Sequence, residues 1–146
     1  EVYQRPASTF VASFIGSPMM NFIDLQLAAE GDHFRLSAEG HAFTLLARRF
    51  SGLAPHVGAS VVAGIRPQNL RLGKPAGDGE IGFGGPLMTT EQLGDEQILV
   101  VRVGKSDVRV AGVDPELTVD TQAQVDIAVD IVHLHLFDGQ TGSTLT

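Results

Sequence analysis

The 146-residue chain contains no cysteine, no tryptophan and a single tyrosine. Without thiols there can be neither disulfides nor thiolate metal sites, which is consistent with a reducing compartment. Cations are sparse too, ten Lys and Arg against seventeen Asp and Glu, giving a net charge of −7. Such a chain repels phosphate backbones, and only Arg48 and Arg49 are adjacent, so the sequence argues against nucleic acid as a partner. The interleaved aromatic and basic residues of a single-strand binder are missing as well. No apolar run approaches the roughly 18 residues of a membrane-spanning helix. Glu1-Val2-Tyr3 lacks the basic start and apolar stretch of a signal peptide, and an opening on Glu1 reads as a piece of a longer protein or a processed chain.

Catalytic patterns are also lacking. Gly77-Asp78-Gly79-Glu80-Ile81-Gly82 matches GxGxxG by letter, but Gly84-Gly85-Pro86 follows where a dinucleotide site needs a helix N-terminus, and two acids sit inside the loop. Gly104-Lys105-Ser106 resembles the end of a phosphate loop, yet that motif's first glycine would fall at Leu99, so the segment reads as a hairpin turn. No serine is framed by the glycines of a nucleophile elbow. The chain therefore reads as non-catalytic, with no cofactor site of its own.

What is present begins with Tyr3 to Asn21. Pro6 suits a first helical position and Gly16 the position just past a helix end. Between them Phe10, Val11, Phe14 and Ile15 fall on one stripe, so an amphipathic helix is predicted whose apolar face packs on another surface. After Pro18 the period becomes two. Residues 21–37 read as a strand pair around Ala29-Glu30-Gly31-Asp32, and Ala42–Ala47 and Ala59–Ile65 as further strands. Pro67 ends the last of these in a single helical turn. Residues 73–86, with six glycines and two prolines, read as a disordered surface loop. A meander follows through Leu87–Leu93, Ile98–Val103 and Val108–Val110. Val125, Ile127, Val129 and Ile131 are apolar at odd positions, Leu134 and Leu136 at even ones, so a bulge or sharp bend is expected near Asp130–Val132. About eight short strands argue for an all-β barrel or sandwich.

His133 and His135, read as neighbours on one strand face, could ligate Zn²⁺ only if Asp130 or Asp138 joined them; an ordinary amphipathic strand explains them better, and no metal site is assigned. An edge strand at His133–Phe137, with two titratable side chains and an aromatic, needs a partner or a cover. His133, His135, Phe137 and Asp138 are therefore the candidate interface.

Four ordered segments carry a family resemblance. Tyr3–Asn21, Ala63–Leu70, Thr90–Glu96 and His133–Gly142 resemble the ATP-binding subunits of the maltose and glycerol-phosphate ABC importers. The resemblance implies an exit helix and linker at 1–18, leaving an ATPase domain outside this chain, and at 19–146 an OB-like antiparallel β-barrel of the TOBE type. It implies a regulatory and dimerisation role, with ATP and Mg²⁺ confined to the ATPase domain. The implied partners are a second copy of the subunit, permease subunits reached through that domain, and a regulatory protein. The implied location is the cytoplasmic face of the plasma membrane, as a peripheral subunit. Gln68 departs from the family's frequent Glu, and the closing segment is more similar to the glycerol-phosphate branch. The alternative is an oxyanion-sensing module, for which Arg66, Arg71 and Arg102 are the candidate cations.

Overall fold

A computed structural model describes residues 20–77 and 79–145. The helix expected from Pro6 to Gly16, with its stripe of Phe10, Val11, Phe14 and Ile15, lies outside the described residues. Among the described residues ten strands make two five-stranded antiparallel sheets. The first sheet contains β1 (Asn21–Glu30), β2 (His33–Ala38), β3 (His41–Leu46) and β4 (Ser60–Ile65). The second contains β5 (Leu70–Leu72), β6 (Glu80–Leu93), β7 (Glu96–Val103), β8 (Ser106–Val113) and β9 (Gln124–Asp130). The last strand, β10 (His135–Asp138), returns to the first sheet, giving the orders β10-β4-β1-β2-β3 and β5-β9-β6-β7-β8. This is the all-β architecture that the alternation implied, in the OB-like form that the resemblance implied.

Alternation builds the core. Ile23, Leu25 and Leu27 point inward from β1, meet Leu36 and Leu45 across the first sheet, and face Leu99, Val101 and Ile127 of the second. Apolar area removed from water in this way is the main stabilising contribution, at about 25 cal/mol per Å².

The chain changes sheet twice, each time through a 3-10 turn. Pro67–Asn69 carries it from β4 to β5, with Pro67 buried, and Ile131–His133 carries it from β9 to β10. The change of phase near Asp130–Val132 is thus a sharp bend rather than a bulge. Asp130 caps it, its Oδ1 accepting from the Val132 N–H at 3.0 Å.

One expectation fails. Residues 73–86 are not a single loose loop, because β6 begins at Glu80 and pairs with β9 from Glu80↔Asp130 to Pro86↔Gln124. The glycines lie in the strand because their neighbours occupy the side-chain space. A Cβ on Gly82 would sit 2.9 Å from the Pro75 ring, and one on Gly85 only 1.7 Å from the Arg102 carbonyl oxygen. At Gly85 β6 is passing from β9 to β7, and the register slips between Leu87 and Thr89. The remaining loop is pinned as well. Glu80 accepts from Arg71 and from the Ala76 N–H, while Arg71 also donates to the Lys74 carbonyl at 2.9 Å. Those donors hold the Glu80 carboxyl below the usual carboxylate range, with Arg71 the larger cause.

Candidate functional site

His133–Phe137 folds differently from the single strand the sequence suggested. His133 ends the 3-10 turn, exposed beside Val132, and only His135 lies on β10, opposite Gly64 of β4. The two histidines therefore do not share a strand face, because the turn rotates the chain between them. Among the described residues no group of three or more His, Asp or Glu is placed to hold a metal ion.

Phe137 is fully buried. It packs with Met20, Phe22 and Val62 in a second small core on the outer face of the first sheet, its ring edge-on to Phe22 at 6.3 Å. Gly64 leaves room for this, since a Cβ there would lie 2.5 Å from the Met20 sulfur and 2.9 Å from the Phe137 ring. Phe137 offers no surface to a partner in this chain.

Asp138 organises the C-terminal turn. Its Oδ1 accepts from the N–H groups of Gln140 (2.7 Å) and Thr141 (3.0 Å), and its Oδ2 lies 3.4 Å from His56 Nδ1. These two N–H groups, Thr141 first, hold the carboxyl below its ordinary range, with the His56 ring adding to them. The turn brings the chain back along β10. The Asp138 N–H donates to the Ser143 carbonyl and the Leu145 N–H to the Leu136 carbonyl, both at 2.8 Å, so the outer edge of β10 is covered.

Sequence reasoning overlooked Asn21. Its side chain acts as a substitute strand, Nδ2 donating to the Arg109 carbonyl at 2.8 Å and Oδ1 accepting from the Arg109 N–H at 2.9 Å. It thereby ties β1 to β8, the edge of the other sheet. The signal was available, because Asn21 lies in phase with Ile23, Leu25 and Leu27 and so points inward.

Arg66, Arg71 and Arg102 do not converge. Arg71 is paired with Glu80 and Arg102 with Asp107. They stand on different strands, β5 and β7, and none of the three arginines lines the groove beside β3. Gly104 occupies the β7–β8 hairpin turn at φ 60°, and Gly82 stands inside a strand. Among the described residues neither glycine therefore opens onto the helix N-terminus that a phosphate loop needs.

What the described surface does offer is two-fold. Val132, 72% exposed, is the most exposed large apolar side chain among the described residues. A groove of about 600 Å³ runs between β3 and the β6–β9 face, with Arg49 and Lys74 in its lining.

The fold defines an OB-type β module. The MalK OB fold domain model matches residues 16–70 and the TOBE domain model residues 63–137. The chain belongs to the TOBE domain family, in the form found in MalK- and UgpC-type import subunits. It is 36% identical over 152 residues to the trehalose/maltose import ATP-binding protein MalK of Thermococcus litoralis, a match covering 99% of this chain and 39% of that protein. To the sn-glycerol-3-phosphate import ATP-binding protein UgpC of Escherichia coli O157:H7 it is 37% identical over 153 residues, covering 97% of this chain and 37% of the relative. The chain thus spans under two fifths of the length of these relatives. Its fold is also similar to the cytoplasmic molybdate-binding protein ModG, with a TM-score of 0.55 at 14% identity, over 80% of this chain and 94% of that one.

Proposed function

We propose that this chain is the C-terminal regulatory and dimerisation domain of the ATP-binding subunit of an ABC importer for a sugar or glycerol phosphate. The observation carrying this reading is that two family models tile residues 16–137 in order while the chain matches only part of each import ATP-binding relative. ATP and Mg²⁺ act in the ATPase domain, through which the subunit meets its permease partners at the membrane. The domain contributes a contact between two subunits that persists without nucleotide. That contact keeps the effective concentration of the two ATPase halves high, so ATP closes the pair rather than assembling it.

Burial of Phe137 moves the interface toward the 3-10 turn, where Val132 and His133 are exposed next to half-buried His135. Val132→Asp combined with His133→Ala should weaken self-association of the nucleotide-free subunit about tenfold, the effect of about 1.4 kcal/mol. Unchanged association in sedimentation would remove this surface from the interface. Oxyanion sensing has no comparable support, since its candidate cations are dispersed and two of the three take carboxylate partners.

A further inference from the structure

Two sheets have four outer edges, and among the described residues three are short or at least partly covered. Residues 143–145 cover β10, the Asn21 side chain occupies β8 at Arg109, and β5 is only three residues long. Among the described residues the exception is β3. His41-Ala42-Phe43-Thr44-Leu45-Leu46 contains no Lys, Arg, Pro, Asp or Glu, and its register with β2 has no bulge. It therefore lacks the usual devices that blunt an exposed edge.

The polarity of that edge follows from the hairpin. Ala38 pairs with His41, and the Ala47 N–H donates to the Asp32 carbonyl at 2.9 Å, so His41, Phe43 and Leu45 direct their amides to β2. Alternation turns the N–H and C=O groups of Ala42, Thr44 and Leu46 outward. All three residues line the groove, and its far wall is formed by Ile81, Phe83 and Ile127. An incoming chain thus meets free hydrogen-bonding groups on the β3 side, while Ile81, Phe83 and Ile127 opposite are buried in the core. Six residues present about 20 Å of edge.

Charge at the groove differs from that of the whole chain. Arg71, Arg102 and Arg109 are paired with carboxylates, whereas Arg48, Arg49 and Lys74 take part in no ion pair among the described residues. Arg49 and Lys74 line the groove with two carboxylates, of which Glu80 is engaged by Arg71, leaving Asp126.

We infer that β3 is a strand-addition site for an extended peptide of a partner protein, apolar at alternate positions and acidic where it passes Arg48 and Arg49. Main-chain hydrogen bonds to Ala42, Thr44 and Leu46 supply affinity, and the alternate side chains and the acidic end supply selectivity. This does not depend on the dimerisation reading.

The probe is an alternating valine–threonine octapeptide with two glutamates at its N-terminal end, which antiparallel pairing sets beside the two arginines. With millimolar peptide, amide exchange at Ala42, Thr44 and Leu46 should slow by at least about tenfold. N-methylation of one alternate set of peptide amides should abolish this, and methylation of the other set should not. Arg48→Glu with Arg49→Glu should weaken binding about tenfold. Thr44→Pro should remove it, and the charge-reversal variant carries the test if Thr44→Pro unfolds. Protection that grows with protein concentration in the absence of peptide would give the edge to a second copy and overturn the proposal. Inert peptide, with or without inorganic phosphate perturbing Arg49 and Lys74, would overturn it as well.

Discussion

Replacing Asn21 by Ala leaves the Arg109 N–H and C=O without the side chain that now completes them. Asn21 is only 7% exposed and its two bonds are 2.8 and 2.9 Å long, so both groups sit where water reaches them poorly. A backbone group left unsatisfied in a buried position costs about 1–3 kcal/mol, and at a sheet edge the lower end of that range applies, giving about 2 kcal/mol for the pair. With a urea slope of about 2 kcal/mol per molar, the unfolding midpoint should fall by about 1 M. Asn21→Asp separates the hydrogen bonds from packing. Its carboxylate can accept from the Arg109 N–H but opposes the carbonyl, so burial and that oxygen raise its folded pKa above the unfolded value of about 4. Relative to the unsubstituted chain at the same pH, the deficit should be small below the unfolded value and grow as pH rises through the folded one. A midpoint shift under about 0.25 M for Asn21→Ala, or an Asp variant with a pH-independent deficit, would refute the substitute-strand role.

Three further outcomes follow from the packing and charge. Phe137→Ala should cost about 3–5 kcal/mol in denaturant unfolding, because it empties the small core shared with Met20, Phe22 and Val62. Any loss of association in that variant would then report unfolding rather than an interface. Gly85→Ala should cost at least about 3 kcal/mol in the same assay, since the added methyl meets a backbone carbonyl that cannot move without breaking the sheet. Glu80 and Asp138 are held below their ordinary carboxyl range in the folded chain, so their contribution is complete above a pH of about 4 and disappears as pH falls through the folded values. The melting temperature should drop more steeply on acidification in the unsubstituted chain than in Glu80→Gln/Asp138→Asn.

The strands were legible where one face is buried and the other wet. β1 alternates through Ile23, Leu25 and Leu27, and the hairpins at Gly31-Asp32, Gly94-Asp95 and Gly104-Lys105 announce themselves by turn chemistry. The phase change before Leu134 located the bend but not its nature, because a period of two detects an irregularity without distinguishing a bulge from a turn that changes sheet. Composition misled at Gly82, Gly84 and Gly85, where glycine marks crowding rather than freedom. The candidate interface was misjudged at Phe137 for a related reason. Leu134 and Leu136 face the main core, so Phe137 reads as outward, yet Met20 and Phe22 from the start of the chain bury that face too. No local pattern carries a contact between segments so distant in sequence. The open edge of β3 is likewise a property of sheet order and not of its six residues alone.

The dimerisation role is tested most directly by sedimentation of the nucleotide-free full subunit beside a version ending at Pro18, so that residues 19–146 are removed. A domain that holds the two halves together requires the full subunit to associate and the truncated one to sediment as a monomer at the same concentration. Equal association of the two would contradict it.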